Sequence, residues 1–200
     1  MNAPVSSPKA LRPRHPAVPA AAYRAAISHL PTGLSVVTAP GPNGPVGCTV
    51  TAVLSLSVDP PSLLVSFASR SRTLASVLAA RCFAVNVLSW QDRALADQFA
   101  TGPVDARFAG VEVRRVNGAP VLDRCTAGVV CEVRESVEFF DHTVVAGVVT
   151  WTRTGTADPA VLYRRAHHAL LSRPAHGPAG GGAALAVLPV ALSTVLTTRR

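Results

Sequence analysis

Cysteine is scarce in this chain, and the few copies are placed in a way that argues against disulfide scaffolds and metal sites. The four cysteines lie apart from one another and form neither a C-x-x-C pair nor a cluster with histidines. This spacing favours buried free thiols over disulfides and predicts no bound metal. A G-x-G-x-x-G sequence and an alternating β-α-β pattern are also missing, which argues against a Rossmann domain.

Long hydrophobic runs are lacking too. The first 19 residues contain five prolines and no apolar run, so we expect neither a signal peptide nor a membrane anchor. The apolar segment 183–196 is interrupted by Pro189 and is shorter than the roughly 20 residues that a membrane-spanning helix needs. That segment either packs on a partner subunit or stays loose. We therefore expect a cytoplasmic protein without a membrane partner.

Acidic residues are missing from both ends of the chain, and this explains most of the net charge of +8. All 11 acids lie between Asp59 and Asp158, and residues 20–171 balance them with 13 arginines. Nucleic-acid binding needs a concentrated basic face that neutralises phosphates. The nearly neutral central part therefore argues against a nucleic-acid partner.

Length and composition predict one folded domain between two tails. A chain of 200 residues with 48% hydrophobic residues can build one sizeable core. Because prolines break every period in residues 1–19, we expect a disordered arm there. The domain covers residues 20–171, and residues 172–200, which include the glycine-rich stretch 177–182, form a flexible tail.

The hydrophobic pattern predicts a mainly β fold. Helical spacing indicates helices over about 20–30, 74–80, 91–99 and 160–170. Alternating or continuous apolar runs indicate strands over about 34–38, 46–58, 62–68, 82–88, 111–114, 127–137 and 143–151. The turn residues of Pro40–Pro45 make the first two strands an antiparallel hairpin. Many antiparallel strands with short helices at the joins predict a closed or nearly closed barrel.

Two stretches are candidates for ligand binding. Residues 46–61 form a strand of small and hydroxyl-bearing side chains, which either admits a flat ligand close to the backbone or is an edge strand solvated by its hydroxyls. Ser69–Thr73 gathers hydroxyls and guanidinium groups where a helix begins, an arrangement that favours a phosphate site. The alternative is that Ser71 only caps the helix and the arginines are solvated.

An ordered series of blocks over about residues 22–170 resembles the short-chain flavin reductase family, the FMN-binding split barrels that supply reduced flavin to two-component monooxygenases. The blocks are Tyr23-Arg24, Pro31–Thr38, Gly47–Ala52, Ser55–Pro61, Ser71–Leu74, Phe83–Leu88, Arg107–Gly110, Gly118–Leu122, Asp141–Thr143 and Leu162-Tyr163. The resemblance implies an antiparallel, Greek-key-like split β-barrel.

The resemblance also implies which residues bind the cofactors. The strand matching Thr49–Ala52 lies along the isoalloxazine ring, and the segment matching Phe67–Thr73 receives the phosphate side of the flavin. The implied flavin-binding residues are Thr32, Thr49, Val50, Thr51, Ala52, Ser55, Phe67, Ala68, Ser71, Arg72 and Thr73. His142 follows Asp141 in a motif implicated in nicotinamide binding, where it flanks or contacts the nicotinamide. Phe140 stands where that family motif has glycine.

The implied activity is hydride transfer from NADH or NADPH to FMN or FAD by a homodimer, with a monooxygenase as recipient of the reduced flavin. Three alternatives stay open. The chain could bind flavin or haem as a carrier or sensor, act as an oxidase of the pyridoxamine-phosphate type, or be an interaction domain without flavin.

Overall fold

A computed structural model describes residues 14–170 and contains three α-helices and twelve strands in that range. The helices are α1 (Ala20–Ile27), α2 (Arg72–Ala80) and α3 (Ala94–Thr101), with a short 3₁₀ helix at Val104–Ala106. The strands are β1 (Thr32–Gly33), β2 (Ser35–Gly41), β3 (Gly44–Val50), β4 (Val53–Val58), β5 (Pro61–Ala68), β6 (Cys82–Val87), β7 (Val113–Val116), β8 (Ala119–Leu122), β9 (Ala127–Phe139), β10 (His142–Thr154), β11 (Ala160–Tyr163) and β12 (Ala166–Ala169).

The main sheet has seven antiparallel strands in the order β3-β2-β6-β9-β10-β5-β4. Its two edge strands, β3 and β4, follow one another in the chain and are joined only by Thr51 and Ala52. At that join the Ser66 N–H donates to the Ala52 carbonyl at 3.1 Å. The sheet therefore curls into a barrel that is split between β3 and β4, which confirms the predicted mainly β split barrel.

The prediction of one continuous strand over residues 46–58 was wrong. The chain leaves its pairing with β2 at Val50 and begins to pair with β5 at Val53. One strand cannot pair at both edges of a curled sheet without a step, and Thr51 and Ala52 make that step. The predicted hairpin of β2 and β3, in contrast, is confirmed, with Ser35 opposite Val50 and Gly41 opposite Gly44.

The core fills the barrel and is closed by α2. Leu74 and Val77 of α2 are buried against the sheet, and burial of each such side chain stabilises the fold by about 1.5–3 kcal/mol. A second cluster packs α3 outside the barrel through Phe99 and Ala96. The buried members of the main cluster are Val37, Ala39, Val50, Leu63, Val65, Phe67, Leu74, Val77, Phe83, Val85, Cys131 and Val145.

The predicted helix over residues 160–170 was wrong, because this segment forms the hairpin of β11 and β12. β11 pairs with β1, so Thr32 lies opposite Leu162. Arg164 and Arg165 make the turn with φ of 50° and 65°, values that no right-handed helix contains. Pairing with a distant strand has overridden the local helical spacing.

The remaining predicted helices and strands are confirmed within a few residues. All four cysteines are free thiols, as predicted, although only Cys131 is fully buried. Within residues 14–170 no helix is long and apolar enough to cross a membrane. The predicted C-terminal tail and most of the predicted N-terminal arm lie outside the described residues.

Candidate functional site

The start of α2 is the anion-binding candidate. Ser71 is the N-cap residue, and its Oγ accepts a hydrogen bond from the Leu74 N–H at 3.4 Å. The capping role considered from the sequence is therefore present, and such a cap stabilises a helix by about 1 kcal/mol. A serine hydroxyl both donates and accepts, so Ser71 can also turn its hydrogen toward an anion bound at the helix start. Arg72, the first residue of the helix, is exposed.

Cys48 of β3 lies against this helix start, a position that the sequence reasoning did not assign to the site. Burial raises the pKa of the Cys48 thiol, whereas the nearby hydroxyls of Thr73 and Ser71 and the charge of Arg107 lower it. Burial dominates, so Cys48 is a neutral thiol at pH 7. Thr73 is 3% exposed, and its hydroxyl faces the thiol. The block Gly47–Ala52 in the sequence contained the signal, but Cys48 was interpreted only as a buried thiol.

The predicted ring-binding strand offers mainly backbone atoms. The Thr49 hydroxyl donates to the Ala96 carbonyl of α3 at 2.5 Å, so it is already occupied. Val50 is buried in the barrel core. Thr51 is half-buried and Ala52 is exposed in the step between β3 and β4. Ser55 is exposed on β4, opposite Leu63 of β5.

The close packing of β3 against α3 explains one small residue of the block. A Cβ atom at Gly47 would lie 3.0 Å from Phe99 Cε1 and 3.1 Å from the Val37 carbonyl oxygen. Arg107 fixes the same strand, because its Nη1 donates to the Gly47 carbonyl at 2.9 Å. Glycine is therefore needed at position 47 for close packing, and Arg107 holds β3 in place through its hydrogen bond to the Gly47 carbonyl.

Pairing of β5 with β10 brings the predicted nicotinamide residue to the predicted phosphate segment. His142 lies opposite Ala68, and Thr143 lies opposite Phe67. Just beyond the strand, the Ser69 and Thr143 hydroxyls are 3.0 Å apart. The Phe67 side chain points into the barrel core and is 2% exposed, so only its backbone can contribute to a site.

His142 forms an exposed hydrogen bond with its neighbour Asp141. Its Nδ1 lies 2.8 Å from Asp141 Oδ1. The hydrogen bond and the charge of His142 lower the pKa of the Asp141 carboxyl. The carboxylate therefore orients the imidazole ring and leaves Nε2 free to contact a ligand.

A cleft of about 250 Å³ lies at the other end of this region. Two predicted flavin residues, Thr32 and Thr51, line it together with α1 and β11. Arg24 and Arg165 also line it, and neither was predicted from the sequence. Strand β3 connects the cleft to the start of α2, because Cys48 contacts α2 and Thr51 follows three residues later. Some of the predicted residues thus form two groups, one at the start of α2 with His142 and one at the cleft with Thr32 and Thr51. Thr49, Val50, Ala52 and Ser55 lie in neither group.

The curled sheet and the open region along its split define an antiparallel split-barrel protein. Within that class the chain belongs to the flavin reductase like domain family, which matches residues 27–171. The family predicted from the sequence blocks is confirmed.

Individual relatives agree with this family. The chain is 39% identical over 144 residues to a protein of Kitasatospora aureofaciens named flavin reductase (NADH), covering 69% of this chain and 75% of that protein. It is 38% identical over 131 residues to stachydrine N-demethylase reductase subunit Stc3 of Rhizobium meliloti (strain 1021), covering 64% of this chain. The match spans only 56% of the latter's length.

A solved structure shows the same fold. The styrene monooxygenase flavin reductase of Pseudomonas putida S12 superposes with a TM-score of 0.69 at 26% identity. The superposition covers 76% of this chain and 98% of that one.

Proposed function

We propose that this protein is an NAD(P)H-dependent flavin reductase, which reduces FMN or FAD and releases the reduced flavin to a partner monooxygenase. The observation that carries the proposal is the pairing of β5 with β10. It places His142 next to Ala68 and the hydroxyl-rich start of α2, although these segments are far apart in the chain. The names of the relatives, a flavin reductase (NADH) and the flavin reductase of styrene monooxygenase, support the same activity.

The residues present fit a flavin. The start of α2, the Ser71 hydroxyl and the exposed Arg72 offer an N–H-rich, positively charged end for a phosphate. From there, the backbone of β3 leads to the half-buried Thr51 and the cleft that Thr32 also lines. Ala52, which follows Thr51, and Ser55 of β4 are exposed. The apolar lining of the cleft by Ile27, Leu30 and Leu162 suits a flat ring.

The protein chain positions the cofactors, and the cofactors carry out the reaction. When bound, the flavin and the nicotinamide supply the hydride chemistry themselves, so no protein nucleophile is required. His142, oriented by Asp141, would contact the nicotinamide from the start of β10. The site is open along the barrel split, which suits a flavin that enters, is reduced and leaves.

We also propose a homodimer that covers the exposed apolar side chains next to the site. Leu54 and Val58 of edge strand β4 are 61% and 73% exposed, and Leu56 lies between them. Tyr23, Ile27 and Leu30 in and after α1 are exposed as well. An edge strand with apolar side chains is a template for pairing with a second chain.

Substitution of the two hydroxyls at the start of α2 tests the phosphate site. Ser71→Ala with Thr73→Ala should weaken flavin binding about tenfold or more, because charge-assisted hydrogen bonds contribute about 1.5–3 kcal/mol each. Fluorescence titration with FMN measures this, and circular dichroism checks the fold. Ser76→Ala, on the same helix but away from its start, is the matched control. Unchanged FMN affinity in the double variant would contradict the assignment.

A further inference from the structure

The turn between β9 and β10 carries an aromatic side chain in an unfavourable conformation. Phe140 has φ of 58°, in the left-handed region that bulky residues avoid. Its side chain is 100% exposed, so it gains nothing from packing against residues 14–170. A glycine would make the same turn without strain. Because packing does not explain this strained conformation, it points to a role of Phe140 other than stabilising the fold.

The position of this turn suggests what the ring contacts. The Ser69 N–H donates to the Asp141 carbonyl at 2.9 Å, so the turn is fixed next to the segment that leads into α2. His142 follows at once and lies opposite Ala68. Phe140 therefore stands at the solvent side of the proposed phosphate site, two residues from the proposed nicotinamide contact.

The two arginines that flank Ser71 also favour a ligand with more than one phosphate. Arg70 and Arg72 are exposed, and neither pairs with an acid within residues 14–170. One phosphate at the start of α2 leaves a second cation free. A diphosphate that continues toward the solvent would use both guanidinium groups.

We propose that Phe140 stacks on the adenine base of a dinucleotide bound at this site, an inference that rests on the proposed function. With its phosphate at the start of α2, FMN would end there, whereas FAD would extend by a second phosphate and an adenosine, and Phe140 is the exposed aromatic ring next to that point. The nicotinamide dinucleotide carries the same adenylate half. The ligand chemistry is therefore adenylate, with FAD as the source that the order of the contacts favours and NADH as the other.

Titrations with FMN and FAD test the proposal on the full chain. The wild-type protein should bind FAD more tightly than FMN, and Phe140→Ala should reduce this preference about tenfold, the usual effect of losing one aromatic stack on a base. FMN affinity should not change, and Phe140→Trp should retain the preference. Phe139→Ala is the matched control, because Phe139 lies in the same hairpin and is 48% exposed.

A second arm separates the two sources of adenylate. With FMN as the acceptor, KM for NADH is measured in the wild type and in Phe140→Ala. A rise of about tenfold in KM with an unchanged FAD preference would assign the adenine to NADH. A lost FAD preference with an unchanged KM would assign it to FAD, and both results support stacking.

Phe140→Gly separates ligand binding from folding. Glycine relieves the left-handed strain, so the variant should melt at a higher temperature while it loses the adenylate preference like Phe140→Ala. If the ring had a structural role, Phe140→Gly would lower both the melting temperature and the adenylate preference. If FAD preference and KM for NADH are both unchanged in Phe140→Ala, the proposal is wrong. An effect confined to flavin transfer to a monooxygenase would also overturn it, in favour of protein docking.

These results are distinct from a failure of the proposed function. If the wild-type protein binds neither FMN nor FAD, the reductase proposal itself fails. If the wild-type protein binds FMN and reduces it with NADH, but Phe140→Ala changes neither the FAD preference nor the KM for NADH, only the stacking proposal fails.

Discussion

At the scale of single residues, the start of α2 brings together the Ser71 hydroxyl, which caps the helix, and the Cys48 thiol of β3. Thr49 and Phe67 stand at predicted positions, yet the hydroxyl of Thr49 bonds to α3 and the ring of Phe67 fills the barrel core. Which face a strand residue presents depends on the step between β3 and β4 and on the helices that pack there. Neither is visible in the composition of the strand. The hydroxyl residues of the α2 start were predictable, because helix capping is local.

Cys48 gives a probe of the site at residue scale. With FMN at ten times its Kd, reaction of Cys48 with N-ethylmaleimide should slow about tenfold, because a bound phosphate covers the thiol beside Ser71 and Thr73. Mass spectrometry of the labelled peptides measures each cysteine separately. Cys82, also half-buried and with a pKa that burial likewise raises, is an internal control on β6.

The labelling rate of both cysteines should rise with pH toward and above 9, since the reactive species is the thiolate and burial raises both pKa values. Equal protection of Cys48 and Cys82 by FMN, or no protection of either, would contradict a phosphate site at the start of α2.

At the scale of elements, local sequence patterns predicted most strands. They failed where a strand pairs with a segment far away in the sequence. The alternation of β9 and β10 is local, and both strands were predicted. β1 has two residues, too few for a pattern, yet it pairs with β11 and turns a predicted helix into a hairpin. Arg164 and Arg165 give no turn signal of the Asn-Gly kind, so the reversal of the chain was hidden.

One buried amide connects the β7–β8 hairpin to the barrel. Asn86 Nδ2 donates to the Val36 carbonyl at 3.0 Å and to Thr38 Oγ1 at 3.1 Å. Its Oδ1 accepts from the Leu122 N–H at 2.9 Å, and the Thr38 hydroxyl donates to the Pro120 carbonyl. Every polar group of this cluster is thus paired although Thr38 and Asn86 are completely buried. The network sets where β8 docks on β2 and β6.

Loss of this amide should destabilise the protein without changing the site. Asn86→Ala leaves the Leu122 N–H unpaired, so the free energy of unfolding should fall by about 2–4 kcal/mol. Urea denaturation measures the change, and FMN affinity of the folded variant should stay the same. The exposed Asn43→Ala in the β2–β3 turn should change stability by less than about 0.5 kcal/mol. If Asn86→Ala and Asn43→Ala have equal free energies of unfolding, the hydrogen-bond network does not contribute to stability.

At the scale of the whole molecule, the barrel split explains why one region can hold a flavin. The two edge strands meet without pairing along their length, so backbone groups and half-buried side chains stay open beside α2 and the cleft. The barrel class was predictable from many antiparallel strands, and the family from its ordered blocks. The place of the split was not, because it depends on which two edges meet after seven strands have curled.

We propose above all that the open site reduces flavin and releases the reduced form. Anaerobic oxidation of NADH by the purified full chain, with increasing FMN or FAD, tests it most directly, with the reduced flavin collected through a filter that retains the protein. The account predicts turnover that rises with added flavin and reduced flavin in the filtrate. Flavin that binds but stays on the protein, with no oxidation of NADH, would contradict the reductase account and indicate a carrier or sensor.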